Sequence, residues 1–299
     1  LKFITLQITT RNRLEDLKVS LVKNATFIQD ERVHTLICVD GSDDGTYDYI
    51  KNNFPNIELI ENKKSIGLIG SRNRMMSLTK TPFAVSLDDD AHFLSNTNVD
   101  TILNHFSTHP DCAVIAFRIY WGKNEMQFIP DQEKAHRVRG FVGCGHAWRM
   151  EHWNRIRPYP EWFVFYGEEE FAGYELFKEN LEIHYVPEIF IQHRVDVNAR
   201  KSNKDFLSRN RKAIRSGWYL WLLFVPLKYF PKYWTYSVYT QLRTKVLKGH
   251  LKVLIALVLA VFDLLFNIPR LLLFKNRLTE LEYEQYLQLI PSKIYWSPK

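Results

Sequence analysis

Cysteine is scarce. The three present, Cys38, Cys112 and Cys144, are odd in number and widely spaced. That fits neither a disulfide framework nor a zinc pattern and favours a reducing compartment. Two phosphate-binding signatures are also missing. Without GxxxxGK[ST] a P-loop kinase or ATPase is disfavoured, and without GxGxxG so is dinucleotide-dependent redox chemistry. There is no internal repeat and no low-complexity segment. Long apolar runs are lacking as well. The opening LKFITLQITT alternates like a strand and has no signal-peptide core. The longest charge-free apolar run of the distal chain, VLIALVLAVF (253–262), stops after ten residues at Asp263. An ordinary spanning helix needs about 20.

What is present describes a globular chain: 46% apolar and 24% charged residues over 299 positions, enough for one large domain or two modest ones. Aromatic residues make up 14% and concentrate late. The net charge of +7 hides an asymmetry. Residues 1–193 carry 21 Lys and Arg against 27 Asp and Glu, whereas residues 194–299 carry 19 against 6. An acidic body thus bears a basic, aromatic tail, and the two parts are expected to meet different partners.

Phe3–Ile8, Thr35–Val39, Ile57–Ile60, Phe83–Leu87 and Cys112–Phe117 read as strands, with helical spacing at Leu14, Leu17 and Leu21 and a short helix near Tyr47–Asn53. Strands alternating with helices predict a mostly parallel sheet covered on both faces. Ligands of such sheets bind beyond the carboxyl ends of the strands. Three polar clusters directly follow strands: TTRNR, DGSDDGT and DDD. The architecture therefore aligns them along one edge.

Asp88, Asp89 and Asp90 repel one another unless a positive partner is present. A divalent cation with hard oxygen ligands, Mg²⁺ or Mn²⁺, answers that need, and such ions complete their shells with phosphates. The implied partner is a metal–diphosphate pair; a solvated acidic loop is the alternative. Gly67 and Gly70 precede Arg72, Asn73 and Arg74 at a helix start, which suits a phosphate or nucleotide oxygen.

In order along the chain, ITTRNR, VDGSDDGT, IGLIGSRN, SLDDD, GFVGCGHAWRM, FYGEEEF and VPEIFIQHR resemble the motifs of family 2 glycosyltransferases, with rhamnosyltransferase-like members the nearest. The resemblance spans about residues 3–215 and implies the GT-A fold: Rossmann-like, α/β, a mostly parallel sheet with flanking helices. It implies Thr9, Arg11, Asp40, Gly67, Arg72, Asp88 and Asp89 at the nucleotide sugar. Asp88, Asp90 and His193 are the implied metal ligands. Glu169 is implied as the base, with Glu168 supporting it. Two departures bear on these roles. Gly41 follows Asp40 directly where the family has an intervening residue, leaving Asp40 or Asp43 to read the base. Phe171 stands where the family often has Asp, which leaves the register of Glu168, Glu169 and Glu170 open. In GFVGCGHAW, Gly143 and Gly145 admit either donor approach or close packing, and His146 and Trp148 either a sugar contact or the core.

From Arg194 basic residues interleave with Trp, Tyr and Phe. Nucleic-acid binding is one reading of such a mixture, but the adjoining apolar stretches fit a lipid interface better. The expected organisation is a catalytic domain at 1–215 and a helical, membrane-associated region at 216–299. The expected protein is an inverting glycosyltransferase, cytoplasmic and peripheral on the inner face of the plasma membrane. Its donor would be dTDP-rhamnose or a UDP-hexose, and its acceptor a glycan or lipid-linked glycan in polysaccharide biosynthesis; nucleic acid is not an expected partner. A metal-dependent nucleotidyltransferase and a non-catalytic membrane-binding scaffold are the alternatives.

Overall fold

The computed structural model describes residues 1–95, 98–127, 129, 133–195, 206–291, 293 and 295–296. Its first half is a parallel sheet. Strands β1 (Ile4–Thr10), β2 (Val33–Asp40), β3 (Glu58–Asn62) and β4 (Phe83–Asp88) lie in the order β3-β2-β1-β4. They are joined by helices α1 (Leu14–Lys23), α2 (Ala25–Gln29), α3 (Thr46–Asn53) and α4 (Gly67–Leu78). The second half supplies β5 (Ala91–Phe93), α5 (Asn98–Thr108), β6 (Cys112–Trp121), β7 (His136–Val138), β8 (Gly145–Arg149), α6 (Met150–Trp153), α7 (Glu168–Lys178) and β9 (Glu182–His193). These strands extend the sheet as β8-β6-β9-β5, with β7 beside β9. Each of the five strands read from the sequence has its counterpart here.

β8 runs antiparallel to both β4 and β6, and β6 is parallel to β9. β9 therefore points the same way as β4. The carboxyl ends of β1, β2, β4 and β9 share one edge, and the polar clusters meet there.

Helices cover both faces, so the strands read as nearly continuous apolar runs. Within β2 the pleat divides them: Ile37 and Val39 join the core under α1, α3 and α5, whereas Leu36 and Cys38 pack with Met75 of α4. All three cysteines are free and buried.

Four helices follow: α8 (Phe206–Phe224), α9 (Phe230–Thr244), α10 (Lys252–Phe274) and α11 (Glu280–Gln288). Of the basic stretch after Arg194, positions 196–205 lie outside the described residues. The expected boundary between 215 and 216 falls inside α8. Tyr174 of α7 stacks on Phe224 and Tyr286 at centroid distances of 4.8 and 4.6 Å, so tail and body share one core.

α10 corrects the reading of the apolar run. The charge-free segment ends at Asp263, but the helix runs on to Phe274, 23 residues in all, with a mean hydropathy of 2.1 over its most apolar 18-residue window. By length and composition alone that is enough to cross a membrane. Asp263 does not interrupt it because the carboxylate turns inward, accepting from Arg211 Nε at 2.7 Å and Arg215 Nη1 at 3.2 Å. Val253, Ala256, Leu257, Ala260 and Leu264 are buried on the same side, while Leu254, Val258, Phe262, Leu265, Phe266 and Leu273 are exposed.

Candidate active site

Asp88 ends β4, and Asp89 and Asp90 form the turn that leads into β5; hydrogen bonds pin all three from several directions. Asp88 N donates to the Cys144 carbonyl at 3.2 Å, Ser20 Oγ donates to the Asp89 carbonyl at 2.6 Å, and Arg194 N donates to the Asp90 carbonyl at 2.9 Å. The side chains diverge. Asp88 is partly exposed and faces a cavity of about 590 Å³. Asp89 is buried and points away from it, accepting from Thr10 Oγ1 at 2.9 Å and pairing with Arg13 at 3.0 Å. Burial, opposed by Arg13 and reinforced by Asp90 and Asp88, pushes the Asp89 carboxyl up to about 7. The nucleotide-sugar role implied for Asp89 therefore does not match its orientation; this carboxylate anchors the turn.

Asp90 pairs with Arg13 Nη2 at 2.7 Å, and His193 Nε2 lies 2.9 Å from its Oδ1 and 3.7 Å from Asp88 Oδ2. Burial alone would raise Asp90, but His193 and Arg13 hold it well below the usual carboxylate range. Burial likewise works against a charged His193, yet the Cys144 sulfur and the Asp90 carboxylate push that imidazole up. Asp88, Asp90 and His193 can each offer one ligand atom, all within 4.8 Å of one another. Two carboxylates and an imidazole are a donor set that fits a divalent ion. The three sequence-assigned metal ligands thus come together from β4, the turn and β9. The sequence missed Arg13: within TTRNR it named Arg11, which stands exposed.

The second acidic cluster enters from the opposite wall. Gly167, at φ +89°, opens α7, and Glu168, Glu169 and Glu170 form its first turn. Here acidic side chains complement the helix macrodipole. Val164 and Tyr166 also hold left-handed backbone, φ +68° and +70°. Such values are unusual, especially for a β-branched residue, and they cluster beside the cavity wall formed by Phe165, Tyr166 and Gly167.

Successive helical positions send the acids different ways. Glu168 is buried and accepts from Arg72 Nη1 at 2.9 Å. Its other oxygen is buried without a protein partner among the described residues. Burial and Glu169, opposed by Arg72, push the Glu168 carboxyl up to about 8. Glu169 lines the cavity, is partly exposed, and lies 3.8 Å from Arg72. Phe171 turns into the core against Phe163 and Phe224, which removes that position as a possible site of the base.

Arg72 ties the two clusters together. Its guanidinium is buried and donates to Asp88 at 3.0 Å, Glu168 at 2.9 Å and the Gly143 carbonyl at 2.8 Å. A Cβ at Gly143 would run into Glu169 and Arg72, so glycine there is a requirement of the site itself. Gly145 is a packing glycine: a Cβ would meet Ile191. His146 and Trp148 are core. His146 is buried beside Phe141, and Trp148 donates to Tyr159 Oη at 3.0 Å within an aromatic cluster.

The remaining implied nucleotide residues lie beside the cavity rather than in its wall. Thr9 sits at the end of β1 between Cys38 and Asp88, and its buried hydroxyl has no protein partner among the described residues. Asp40 is buried and already holds the loop before α4, accepting from Asn62, Ser65, Ile66 N and Gly67 N at 2.6–3.0 Å. Burial opposes its charge, but these donors keep it lowered. Gly67 therefore serves that anchor through its N–H. Gly41, at φ +66°, lies so close to Ser65 N that no side chain fits, so the position directly after Asp40 requires glycine. Asp43, the alternative reader, is exposed.

The glycosyl transferase family 2 model matches residues 5–169. A search of curated proteins returns no significant match. Among solved structures, GalNAc-T7 with UDP, GalNAc and Mn²⁺ aligns with a TM-score of 0.58 at 13% identity, over 78% of this chain and 50% of that one. The mannosyltransferase PcManGT from Pyrobaculum calidifontis, in complex with GDP-Man and Mn²⁺, aligns at 0.54 and 12%, over 95% and 83%. S. aureus TarS aligns at 0.53 and 13%, over 70% and 38%. The chain thus spans half or less of the length of two of these relatives. At such identities the likeness is one of fold, and that fold is GT-A. The family match covers more than half of the chain, which belongs to glycosyl transferase family 2.

Proposed function

We propose that the chain is an inverting glycosyltransferase that moves a sugar from a nucleoside diphosphate to a hydroxyl of a glycan or lipid-linked glycan. One observation carries this reading: two acidic clusters of different chemistry face one cavity and are joined through Arg72. In the proposed reaction the acceptor oxygen bonds to the anomeric carbon. The bond from that carbon to the diphosphate oxygen breaks, the acceptor proton goes to Glu169, and the nucleoside diphosphate leaves. Asp88, Asp90 and His193 would hold the divalent ion, which when bound neutralises charge building on the leaving diphosphate. Arg72 and Glu168 keep Glu169 oriented, and Thr9 offers its free hydroxyl to the nucleotide. Neighbours carrying UDP and Mn²⁺, UDP-GlcNAc, or GDP-Man and Mn²⁺ support a nucleotide-sugar donor. dTDP-rhamnose and UDP-hexoses head the candidates.

A panel of nucleotide sugars with Mn²⁺ and a polyprenyl diphosphate-linked glycan acceptor tests this reading through product analysis. Release of nucleoside diphosphate with sugar transfer supports it. Release of sugar 1-phosphate with transfer of the nucleotidyl group would instead identify a nucleotidyltransferase, and no turnover across the panel would favour a scaffold.

The tail has a place in the same proposal, on the cytoplasmic face of the plasma membrane. α10 packs one side on α8 along its length, leaving an apolar outer side next to Lys248, Lys252, Arg270 and Lys275. A helix fixed in that way suits lying in an anionic lipid surface rather than crossing it, with each nearby cation adding about 1 kcal/mol. Flotation with anionic liposomes, lost in high salt, is the expected behaviour. Resistance to alkaline carbonate would contradict the in-plane placement.

A further inference from the structure

β9 carries a histidine near each end. His193 belongs to the carboxylate edge. Nine residues earlier, roughly 30 Å away along an extended strand, His184 meets His105 of α5 and His109, one helical turn beyond it. The ring nitrogens of these three lie within 4.8 Å of one another. His105 and His184 are buried, and His109 is exposed. The backbone bond from His109 N to the His105 carbonyl, 3.0 Å, continues the helix and puts both rings on one face.

The surrounding acceptors fix where the protons sit. His184 Nε2 is 2.7 Å from Glu182 Oε2. An ionised carboxylate only accepts, so Nε2 carries the proton and Nδ1 is bare. Glu182 is itself held by Arg137 at 3.0 Å. His109 Nδ1 is 3.0 Å from the His105 carbonyl oxygen and 2.9 Å from Thr108 Oγ1. The carbonyl likewise only accepts, leaving His109 Nε2 bare. His105 Nε2 lies 2.9 Å from His184 Nδ1 and donates to it. Moving that single proton to Nδ1 of His105, a change of tautomer, would leave three bare imidazole nitrogens facing one another. A histidine whose other N–H is given to a carboxylate or carbonyl is the usual arrangement around a bound metal.

We propose that His105, His109 and His184 bind one borderline transition-metal ion, Zn²⁺ foremost, with a fourth position open to water on the exposed His109 side. Three neutral imidazoles without a carboxylate in the set select this class over Mg²⁺ or Mn²⁺. The site is chemically distinct from the carboxylate edge, and it would tie the end of α5 to the start of β9.

The test uses the full chain after chelation. Co²⁺ is added alone while the visible spectrum is recorded, and Zn²⁺ then competes with a chromogenic chelator. The expected result is one equivalent of Co²⁺ giving the intense bands of a four-coordinate, nitrogen-rich site, displaced by one equivalent of Zn²⁺. Asp90→Asn should keep these bands. His109→Ala, an exposed position whose fold is checked by its melting curve, should weaken Zn²⁺ binding by more than about 100-fold. Absence of the bands in the unaltered protein would overturn the proposal. So would bands that survive His109→Ala and vanish in Asp90→Asn.

Discussion

Two runs of three adjacent acids face each other in this protein, and they do different things. Asp88–Asp90 occupy a turn at the end of a strand, where alternation sends Asp89 inward and leaves Asp88 and Asp90 beside His193. Glu168–Glu170 occupy a helix start, where a rotation of about 100° per residue buries Glu168 and leaves Glu169 and Glu170 lining the cavity with different exposure. Composition is nearly the same; the backbone element and the counter-charges assign the roles. In the first run Arg13 and His193 hold Asp90 in its charged form, while burial raises Asp89, which anchors the turn. Burial and Glu169 push Glu168 of the second toward its neutral form, beside the Glu169 carboxylate that lines the cavity.

The sharpest way to break this comparison is to remove one acid from each run. Asp90→Ala should take sugar transfer below detection, as should excess EDTA on the unaltered protein, read as nucleoside diphosphate release. Full activity in EDTA would dissolve the distinction between the runs. Glu169→Gln keeps shape but not proton affinity, and transfer should fall by roughly 10²–10⁴-fold. If Glu168→Gln or Glu170→Gln falls instead, the register within α7 is wrong.

Arg72 is the joint between the runs, so its loss tests whether they are coupled. Arg72→Met leaves Asp88 and buried Glu168 without their shared partner and should cost about 3–5 kcal/mol in urea denaturation. A cost below about 1 kcal/mol would show that the two clusters stand independently.

The smallest effect concerns pH. The folded Glu168 carboxyl titrates at about 8, above its ordinary value of 4.5, so the folded state holds this proton more tightly than the unfolded chain. Its stabilising contribution is complete below about pH 4.5 and is lost as pH rises through about 8. Between about pH 6 and pH 9 the urea midpoint should therefore decline less in Glu168→Gln than in the unaltered chain. An equal or steeper decline in the variant would assign the proton elsewhere.

The parallel half of the fold was legible because its strands are buried on both faces and each ends in a polar cluster. Ordering by strand ends was enough to bring Asp88 and Asp90 together, with His193 marked by the strand-like IFIQ before it. The antiparallel half was harder to read. β8 is only five residues long, and its Gly145-His146 start admitted a ligand contact or the core equally; both residues pack in the core. Long-range ion pairs left no trace in the sequence. Nothing local separates Arg11 from Arg13, or foretells that Arg72 reaches Glu168 across 96 positions. Asp263 misled for the same reason. A charge ends an apolar run on paper, whereas two arginines from α8 neutralise it inside the structure.

The central claim, that one run holds the metal–diphosphate and the other moves the proton, is tested most directly by calorimetric titration of UDP with Mn²⁺. The titration is run on the unaltered chain, Asp90→Asn and Glu169→Gln, beside their transfer rates, and GDP and dTDP replace UDP if the unaltered chain binds it weakly. The account predicts that Glu169→Gln binds like the unaltered protein while failing to transfer, and that Asp90→Asn loses Mn²⁺-dependent binding. Intact binding in Asp90→Asn, or binding lost in Glu169→Gln, would contradict it.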